Sequence, residues 1–401
     1  MSGGRSPAVG TVIPSDLYGF AERLTEAERK VLTDLREQLQ ATVYPLVNDA
    51  WDRAELPEEL LQAVRNLELM DPPALRAAGE PVRDLLTGFR NFELARCDIN
   101  VGTLYNAQAG LFRTVCTVGG SPEQARELDA RIRTYELTGV FALTEPDHGS
   151  DVAGGLATSA TRDETTGEWV INGAKRWIGG ASVSDVMATF ARDTADGQVK
   201  CFLVPREAEG VSMTIIPNKA SLRIMQNAHI EYRDVRVGEG ARLQGINSFK
   251  DVARCLRNMR SDVAWMAVGA QAGAYEAALR YVREREQFGR PIAGFQLVQE
   301  KLAVMLGNLT ASLGMVVQLT EQQAQGTYRD ENSALAKMYT SLRLRETVAL
   351  AREVCGGNGI TLDTDVARFH ADAEAIYSYE GTHEINALIV GRAVTGIGAF
   401  V

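Results

Sequence analysis

The spacing of hydrophobic and polar residues divides the chain into three regions, because its period changes twice. From Leu24 to about Val140, apolar residues recur every three or four positions, as in LTEAERKVLTDLREQLQATVYPLV, and this period predicts amphipathic helices. Thr25 is followed three residues later by Glu28, which is the spacing of a capping box at a helix start. The first region is therefore predicted to be helical.

In the second region, from about Phe141 to Val237, short segments rich in β-branched and aromatic residues follow one another. Such segments, separated by turn residues, are typical of a compact β-domain. The dipeptide Asn172-Gly173 lies between two of them in EWVINGAKRWI, and it predicts a tight turn in a β-hairpin.

After Asn247 the helical period returns and dominates. One very long helix is predicted for DVARCLRNMRSDVAWMAVGAQAGAYEAALRYVRERE, and further helical segments follow it with short connections, which suggests a bundle. The fold class is therefore mainly α with a central β-domain, arranged as a helical N-terminal domain (1–140), a β-domain (141–246) and a C-terminal helical bundle (247–401). Strands and helices do not alternate, so a doubly wound sheet is not expected.

Composition narrows the range of functions. An apolar fraction of 45% allows a large core, and a net charge of -10 argues against a nucleic-acid partner, since phosphate binding needs a basic face. The five cysteines are scattered without a CxxC spacing, which favours neither a disulfide framework nor a zinc site. No metal is expected.

The two ends of the chain and its apolar runs favour a cytoplasmic protein. The first 20 residues contain no apolar stretch of the signal-peptide kind and are predicted to be a short flexible tail. The last residues, GIGAFV, show no Ser-Lys-Leu address, and we expect no apolar run long enough to span a bilayer.

Three polar stretches each allow a structural or a functional interpretation. FALTEPDHGSDVAGG (141–155) is either a turn whose side chains bond their own backbone or a loop that grips a ligand. In KRWIGGASVSD (175–185), Trp177 is either part of the core or an aromatic face for a planar ligand. In REREQFGRPIAGFQ (283–296), the arginines either face solvent at a helix end or bind a diphosphate.

The stretch YSYEGTHEI (377–385) places one carboxylate, Glu380, between two tyrosines and a glycine. Thr382 is the expected N-cap of a new helix, so Glu380 lies in the loop before it. Glu380 is either a carboxylate that faces water or a salt-bridge partner, or it is buried beside a ligand. In the buried case its pKa is raised, and a carboxylate that titrates closer to neutrality is a competent general base.

Five stretches together resemble the acyl-CoA dehydrogenase family of flavoproteins, and they occur in the family's order over nearly the whole chain. They are LTEPDHGSD, INGAKRWI, REQFGRPIAGFQ, VCGGNG and YEGTHEI. In appearance the chain is most similar to glutaryl-CoA dehydrogenases and to the short-chain acyl-CoA oxidases of plants. The resemblance implies a helical N-terminal domain, a barrel-like β-domain and a C-terminal four-helix bundle, with FAD between the last two.

The resemblance also implies roles for particular residues. The positions that match the family's FAD contacts are Phe141, Leu143, Thr144, Trp177, Ile178, Gly179, Arg285, Gln287, Phe288, Gln296, Glu353, Val354, Cys355, Gly356, Gly357, Thr382 and Glu384. Those in 285–296 and 353–357 would serve the FAD of a neighbouring subunit, which implies a homo-oligomer, either a dimer or a tetramer. The positions that match acyl-CoA contacts are Ser150, Arg260, Tyr379 and Gly381.

Glu380 matches the family's catalytic base. It would remove the α-proton of an acyl thioester while the β-hydrogen leaves as hydride to flavin N5, and an electron-transfer flavoprotein would accept the electrons. Some family members carry the base immediately before the arginine that Arg260 matches, but this chain has Met259 there. Two alternatives stay open: an oxidase or monooxygenase that uses O2, and a binding protein that has lost catalysis.

Two departures from the family bear on the electron acceptor and the substrate. Gly179 stands where the family usually has a threonine that hydrogen-bonds flavin N5; the plant oxidases resemble this chain there, which leaves O2 as an alternative acceptor. Gly102 stands where glutaryl-CoA enzymes carry an arginine for the distal carboxylate. Because an unpaired buried carboxylate is costly, we expect a short-chain acyl-CoA of fatty-acid metabolism as substrate and poor turnover of glutaryl-CoA.

Overall fold

The computed structural model describes residues 13–399. Residues 1–12 of the predicted N-terminal tail lie outside this range. The part of the tail that the structure describes is packed: Ile13 is buried in the core, and the Asp16 carboxylate accepts a hydrogen bond from the Ala21 backbone N–H at 2.8 Å. The prediction of a flexible tail is therefore wrong for residues 13–20.

The N-terminal region is helical, as predicted. At its start, Thr25 Oγ1 accepts from the Glu28 N–H at 3.2 Å, and Glu28 Oε2 accepts from the Thr25 N–H at 2.9 Å, which confirms the capping box. The helices are α1 (Glu26–Gln38), α2 (Tyr44–Arg53), α3 (Glu58–Arg65), α4 (Pro73–Ala78), α5 (Asp84–Cys97), α6 (Ile99–Asn106), α7 (Arg113–Gly119) and α8 (Pro122–Arg133).

A seven-stranded sheet and one short helix follow. They are β1 (Gly139–Ala142), α9 (Val152–Gly155), β2 (Ser159–Arg162), β3 (Trp169–Gly179), β4 (Val186–Asp193), β5 (Val199–Pro205), β6 (Val211–Ile215) and β7 (Asn227–Val237). The sheet order is β1-β4-β2-β3-β7-β6, and β5 pairs with β4. The side chains on its inner face form a separate core around Ile171, Phe202 and Ile230.

The hairpin predicted at Asn172-Gly173 is wrong, because β3 runs straight through both residues. The pairing of β3 with β7 instead shifts register between Ile171 and Gly173, which is a β-bulge. Gly173 has a φ of 141°, and a Cβ there would lie 2.7 Å from the Thr158 backbone. Asn172 hydrogen-bonds Asp234 on β7 through its side chain. An Asn-Gly pair suits a bulge as well as a turn, and the local sequence does not distinguish them.

The C-terminal region contains the predicted long helix and a bundle around it. Its elements are α10 (Phe249–Glu284), the hairpin strands β8 (Glu286–Gln287) and β9 (Arg290–Pro291), α11 (Gln296–Ala324), α12 (Asp330–Val354), α13 (Val366–Ser378) and α14 (His383–Thr395). The sequence analysis missed α13, whose apolar positions Val366, Phe369, Ala373 and Ile376 are separated by charged residues. This helix leads directly into the Glu380 loop.

Helix α10 joins the N-terminal helices to the bundle. A Cβ at Gly269 would overlap the Phe92 carbonyl oxygen on α5, and one at Gly273 would overlap the Arg96 carbonyl oxygen. The two helix backbones therefore approach more closely than any larger residue allows. This contact fixes α10, and with it the residues that α10 presents to the Glu380 loop.

A buried carboxylate joins all three regions. Asp372 on α13 accepts hydrogen bonds from Asn100 Nδ2 on α6 at 2.7 Å and from the Leu222 N–H in the β-domain at 2.6 Å. Asn100 Oδ1 in turn accepts from the N–H groups of Ile224 and Met225. Burial raises the pKa of Asp372 to about 7. The relative position of the three regions therefore depends on a small polar network at the middle of α13.

Helix α11 is, in the part of the chain that the structure describes, long and apolar enough to cross a membrane by length and composition alone. The expectation that no apolar run reaches this length is wrong. α11 packs against α10 and α12, and its residues Leu309, Leu313 and Val316 lie in the core beside Trp265. The core helix of a soluble bundle passes the same test, so this finding is weak evidence for a membrane.

Candidate active site

Glu380 lies in the four-residue loop between α13 and α14. Its φ is +51°, and that of Gly381 is +88°, so both residues adopt the left-handed conformation. This conformation is strained for a residue other than glycine and persists where the surroundings enforce it. Thr382 caps α14 as predicted, because its Oγ1 accepts from the Ile385 N–H at 3.2 Å.

Lys337 on α12 holds this loop on both sides of Glu380. Its side chain is fully buried, and Nζ donates to the carbonyl oxygens of Tyr377 at 2.9 Å and Gly381 at 2.7 Å. Asn386 Nδ2 adds a hydrogen bond to the Gly381 carbonyl at 2.9 Å. The carbonyls that flank Glu380 are therefore fixed by side chains from two helices.

The surroundings of Glu380 raise its pKa to about 8. Burial is the main cause, the negative charge of Asp262 adds to it, and the positive charges of Lys337 and Arg260 partly offset it. Asn106 Nδ2 lies 3.5 Å from Glu380 Oε1, and Oε2 has no hydrogen-bond partner among the described residues. Glu380 as a whole is half-buried, while its Oε2 atom is buried. The raised pKa agrees with the second of the two alternatives for Glu380, and such a group can act as a general base near neutral pH.

The residues predicted at the acyl-CoA are only partly brought together. Tyr379 and Gly381 flank Glu380, and the Tyr379 hydroxyl lies 3.3 Å from Thr103 Oγ1 on α6. Arg260 faces Glu380 from α10, and burial lowers its pKa. Ser150 instead lies exposed in the loop before α9, with no hydrogen bond to these residues in the described part of the chain.

The predicted cofactor residues of the β-domain lie in two adjacent segments. The Arg176 N–H donates to the Thr144 carbonyl at 2.8 Å, and Lys175 Nζ donates to the Leu143 carbonyl at 3.0 Å. Lys175 is fully buried and pairs with Glu145 Oε1 at 2.8 Å. This ion pair therefore fixes the end of β1 (with Phe141) beside the end of β3.

At the end of β3 the ring of Trp177 is exposed to solvent. Trp177 is 53% exposed and has a φ of +66°, while Ile178 is buried. A Cβ at Gly179 would lie 2.5 Å from Met225 Cε. Met225 thus occupies the space that a side chain at position 179 would need, which explains the glycine there in structural terms.

The residues predicted to bind a diphosphate are exposed to solvent. The β8-β9 hairpin is exposed from Arg283 to Pro291, and the Phe288 ring is 93% exposed. Arg285 forms no ion pair with any described residue. Gln287 lies on the same hairpin, and Gln296 is the first residue of α11. An exposed ring beside exposed guanidinium and amide groups is suited to binding a partner or ligand.

The glycine turn after α12 leaves open space. A Cβ at Gly356 or Gly357 would meet no atom within 4 Å, whereas Val354 and Cys355 are buried. Glu353 pairs with Lys301 of α11 at 2.6 Å, and Glu384 is exposed in the first turn of α14. Uncovered aromatic rings, an exposed arginine and an open glycine turn fit the ring and diphosphate of FAD.

The sequence analysis missed four polar residues around Glu380: Thr103, Asn106, Asp262 and Lys337. A signal existed for Lys337, because it lies on the buried face of α12 with Ala334 and Thr340. A lysine on such a face needs a polar partner. Asn106 and Asp262 carry no comparable signal, since their partners are distant in sequence.

Replacing Lys337 with methionine is expected to lower the free energy of unfolding by about 1–3 kcal/mol, because two buried carbonyls lose their donor. Urea unfolding of the two proteins measures the difference. Lys301→Met is the matched control, since its partner Glu353 is exposed and the change is expected to stay below about 1 kcal/mol. Equal losses in both variants would show that Lys337 does not hold the loop.

Comparison with known proteins places this site in a family. Two family models match the chain, the acyl-CoA dehydrogenase middle domain over residues 140–235 and the acyl-CoA dehydrogenase C-terminal domain over residues 249–395. Together they cover more than half of the 401 residues.

Similar proteins extend over nearly the whole chain. The 3-(aryl)acrylate reductase of Clostridium sporogenes is 30% identical over 372 residues, which are 91% of this chain and 97% of that protein. Caffeyl-CoA reductase-Etf complex subunit CarC of Acetobacterium woodii is 27% identical over 90% of this chain and 96% of its own length. A crystal structure of a glutaryl-CoA dehydrogenase from Mycobacterium smegmatis in complex with FADH2 is 30% identical, with a TM-score of 0.88, and covers 98% of this chain and 100% of its own. The chain therefore belongs to the acyl-CoA dehydrogenase family.

Proposed function

We propose that this acyl-CoA dehydrogenase oxidises a short-chain acyl-CoA between the α- and β-carbons, with Glu380 as the base. The observation that carries the proposal is Glu380 itself: a strained, fixed carboxylate whose surroundings raise its pKa to about 8. A carboxylate that faces solvent is not expected to have a buried lysine and a buried amide as its neighbours.

In the proposed reaction Glu380 accepts the α-proton of the acyl thioester. The rigid loop keeps the carboxylate in one orientation, which reduces the entropy lost on reaching the reactive geometry. The Oε2 atom of this carboxylate is already inaccessible to water in the structure. Removal of water disfavours the ionised form and so increases the proton affinity of Glu380, while the positive charges of Lys337 and Arg260 limit that increase.

FAD is the cofactor that family membership supports, and when bound it supplies the acceptor for the β-hydride. We propose that the ends of β1 and β3 hold its ring system, with Trp177 as the exposed aromatic contact. Thr382 and Glu384 at the start of α14 would approach it from the bundle. The residues that match diphosphate contacts lie at the β8-β9 hairpin and the glycine turn.

The electron acceptor is proposed to be an electron-transfer flavoprotein. The name of the Acetobacterium woodii relative places that protein in a complex with Etf, which supports such a partner here. O2 is the second candidate, and the observation in its favour is Gly179, where Met225 fills the space beside the backbone and no hydroxyl is present. Hydrogen peroxide formation during acyl-CoA oxidation distinguishes the two.

The exposed β8-β9 hairpin supports a proposal of self-association. The ring of Phe288 is 93% exposed at this hairpin, and the resemblance assigns the hairpin to the FAD of a neighbouring subunit. We expect light scattering of the FAD-bound protein to give the mass of a dimer or tetramer. Phe288→Ser is expected to weaken assembly and FAD retention together, whereas a monomer that retains FAD would contradict the shared site.

Glu380→Gln is expected to reduce the rate of flavin bleaching by butyryl-CoA by about 10²- to 10⁴-fold, since a general base contributes that much. The measurement is the anaerobic visible spectrum before and after addition of the thioester. Glu374→Gln is the matched control, because Glu374 is exposed on α13 and pairs only with Arg345. If the two variants bleach equally fast, Glu380 is not the base.

Glutaryl-CoA is expected to be a poor substrate, by about 100-fold or more in kcat/KM relative to butyryl-CoA. Gly102 is buried against Ala95 of α5, so no cation occupies the position that would pair with a distal carboxylate. Steady-state kinetics with both thioesters measure the ratio. Similar kcat/KM values would mean that another cation accepts this carboxylate.

A further inference from the structure

A second carboxyl group, Asp262, lies close to the proposed base and has no role in the mechanism above. It is partly buried on α10, where Asn91 Nδ2 of α5 donates to its Oδ1 at 3.0 Å. Burial is the main reason that its pKa is raised to about 6. Its negative charge is the largest contribution after burial to the raised pKa of Glu380.

Asn106 on α6 lies between the two carboxyl groups. Its Nδ2 is 3.5 Å from Glu380 Oε1, and its Oδ1 has no hydrogen-bond donor among the described residues. At Gly110 a Cβ would overlap Asn106 Oδ1 and lie 2.9 Å from Asp262 Oδ2. The amide oxygen of Asn106 and the carboxyl oxygen of Asp262 therefore face the same point, which only a glycine leaves free.

The amide of Asn106 stabilises different protonation states of the two carboxyl groups. Its NH2 end stabilises an ionised carboxylate, while its oxygen can only accept and so favours a protonated carboxyl group. If the side-chain amide of Asn106 is rotated by 180°, the ionised and the protonated carboxyl group exchange places. The pair carries one proton in either orientation. The amide of Asn106 therefore favours the state in which Glu380 and Asp262 together carry one proton.

The other charges around the pair do not cancel this coupling. Glu380 faces Lys337 of α12 and Arg260 of α10, which favour its ionised form. Asp262 faces Arg90 and Asp84 of α5, which act in opposite directions. Each carboxyl group therefore has its own other charged neighbours, and the two groups are linked by the charge of Asp262 and by Asn106.

We propose that Asp262 and Glu380 share a single titrating proton through Asn106, so that Asp262 determines the pH range in which Glu380 is ionised. Asp262 is in this account a positioning residue, because it acts through Asn106 and not on the substrate. The inference rests on the proposed function only for the identification of Glu380 as the base.

The proton balance of the reaction follows from this pairing. When Glu380 takes the α-proton, the carbon–hydrogen bond breaks and an O–H bond forms on Glu380. Asp262, whose pKa is the lower of the two, is already ionised, so the pair holds only the transferred proton, and Asn106 presents its oxygen to Glu380 and its NH2 to Asp262. A cavity of about 280 Å³ beside Asp262 is lined by polar groups that include Asp84, Thr87 and Ser261, and it offers a polar route by which the transferred proton can leave the pair afterwards.

The test is an infrared pH titration of the FAD-bound protein without substrate, in which the Glu380 carboxyl band is identified by its loss in Glu380→Gln. Asp262→Asn is expected to lower the midpoint of Glu380 by about one pH unit, because a neighbouring negative charge is removed. Asn106→Leu is expected to raise the midpoint, because Glu380 loses the amide N–H. Asp84→Asn is the matched control: it lines the same cavity and acts on Asp262, which is already ionised near pH 8, so the Glu380 midpoint is expected to move far less than in Asp262→Asn.

The acid limb of kcat/KM is expected to move in the same direction as the infrared midpoint in each variant. A midpoint that does not fall in Asp262→Asn, or that moves equally in Asp84→Asn, overturns the proposal. Asp262→Ser repeats the test if the asparagine variant does not fold. The infrared shifts need no turnover, so shifts of the expected sign in a protein that acyl-CoA does not reduce would support the coupling and contradict only the proposed function.

Discussion

The proposed reaction depends on one physical constraint: the Glu380 carboxylate is held in a low-dielectric environment and forms no salt bridge with a described residue. Burial alone would favour the neutral form of Glu380, and the nearby charges of Lys337 and Arg260 reduce that effect without removing it. The result is a group that titrates near pH 8. It can therefore take up a proton during a reaction and release it afterwards at ordinary pH.

The rest of the fold serves to keep that carboxylate in place. Helix α10 is fixed to the N-terminal helices by glycine contacts, and α12 supplies the buried lysine that binds the loop carbonyls. The network around Asp372 fixes α13, and therefore the loop, relative to α6 and the β-domain. In the β-domain the Lys175–Glu145 pair does the same for the ends of β1 and β3. Buried charged groups therefore fix three of these junctions, and close glycine contacts fix the junction of α10 with the N-terminal helices.

Local patterns were sufficient for much of this structure. The period of apolar residues predicted the helix–sheet–helix order, and the local residue types predicted the capping box at Thr25 and the cap at Thr382. The patterns failed where a distant contact decides the outcome. The Asn172-Gly173 bulge depends on β7, and α13 is stabilised by burial against other helices. Asn106 and Asp262 meet Glu380 only in the folded chain, so no spacing in the sequence could reveal them.

The most direct test is the pH dependence of flavin reduction by butyryl-CoA, measured by anaerobic stopped-flow absorbance in the wild-type protein. The account predicts a rate constant that increases about tenfold per pH unit on the acid side and levels off near pH 8, where Glu380 is ionised. A rate constant that is already level from about pH 5 upwards would mean that Glu380 titrates like an ordinary glutamate. That result would contradict the central claim that its surroundings make it the base.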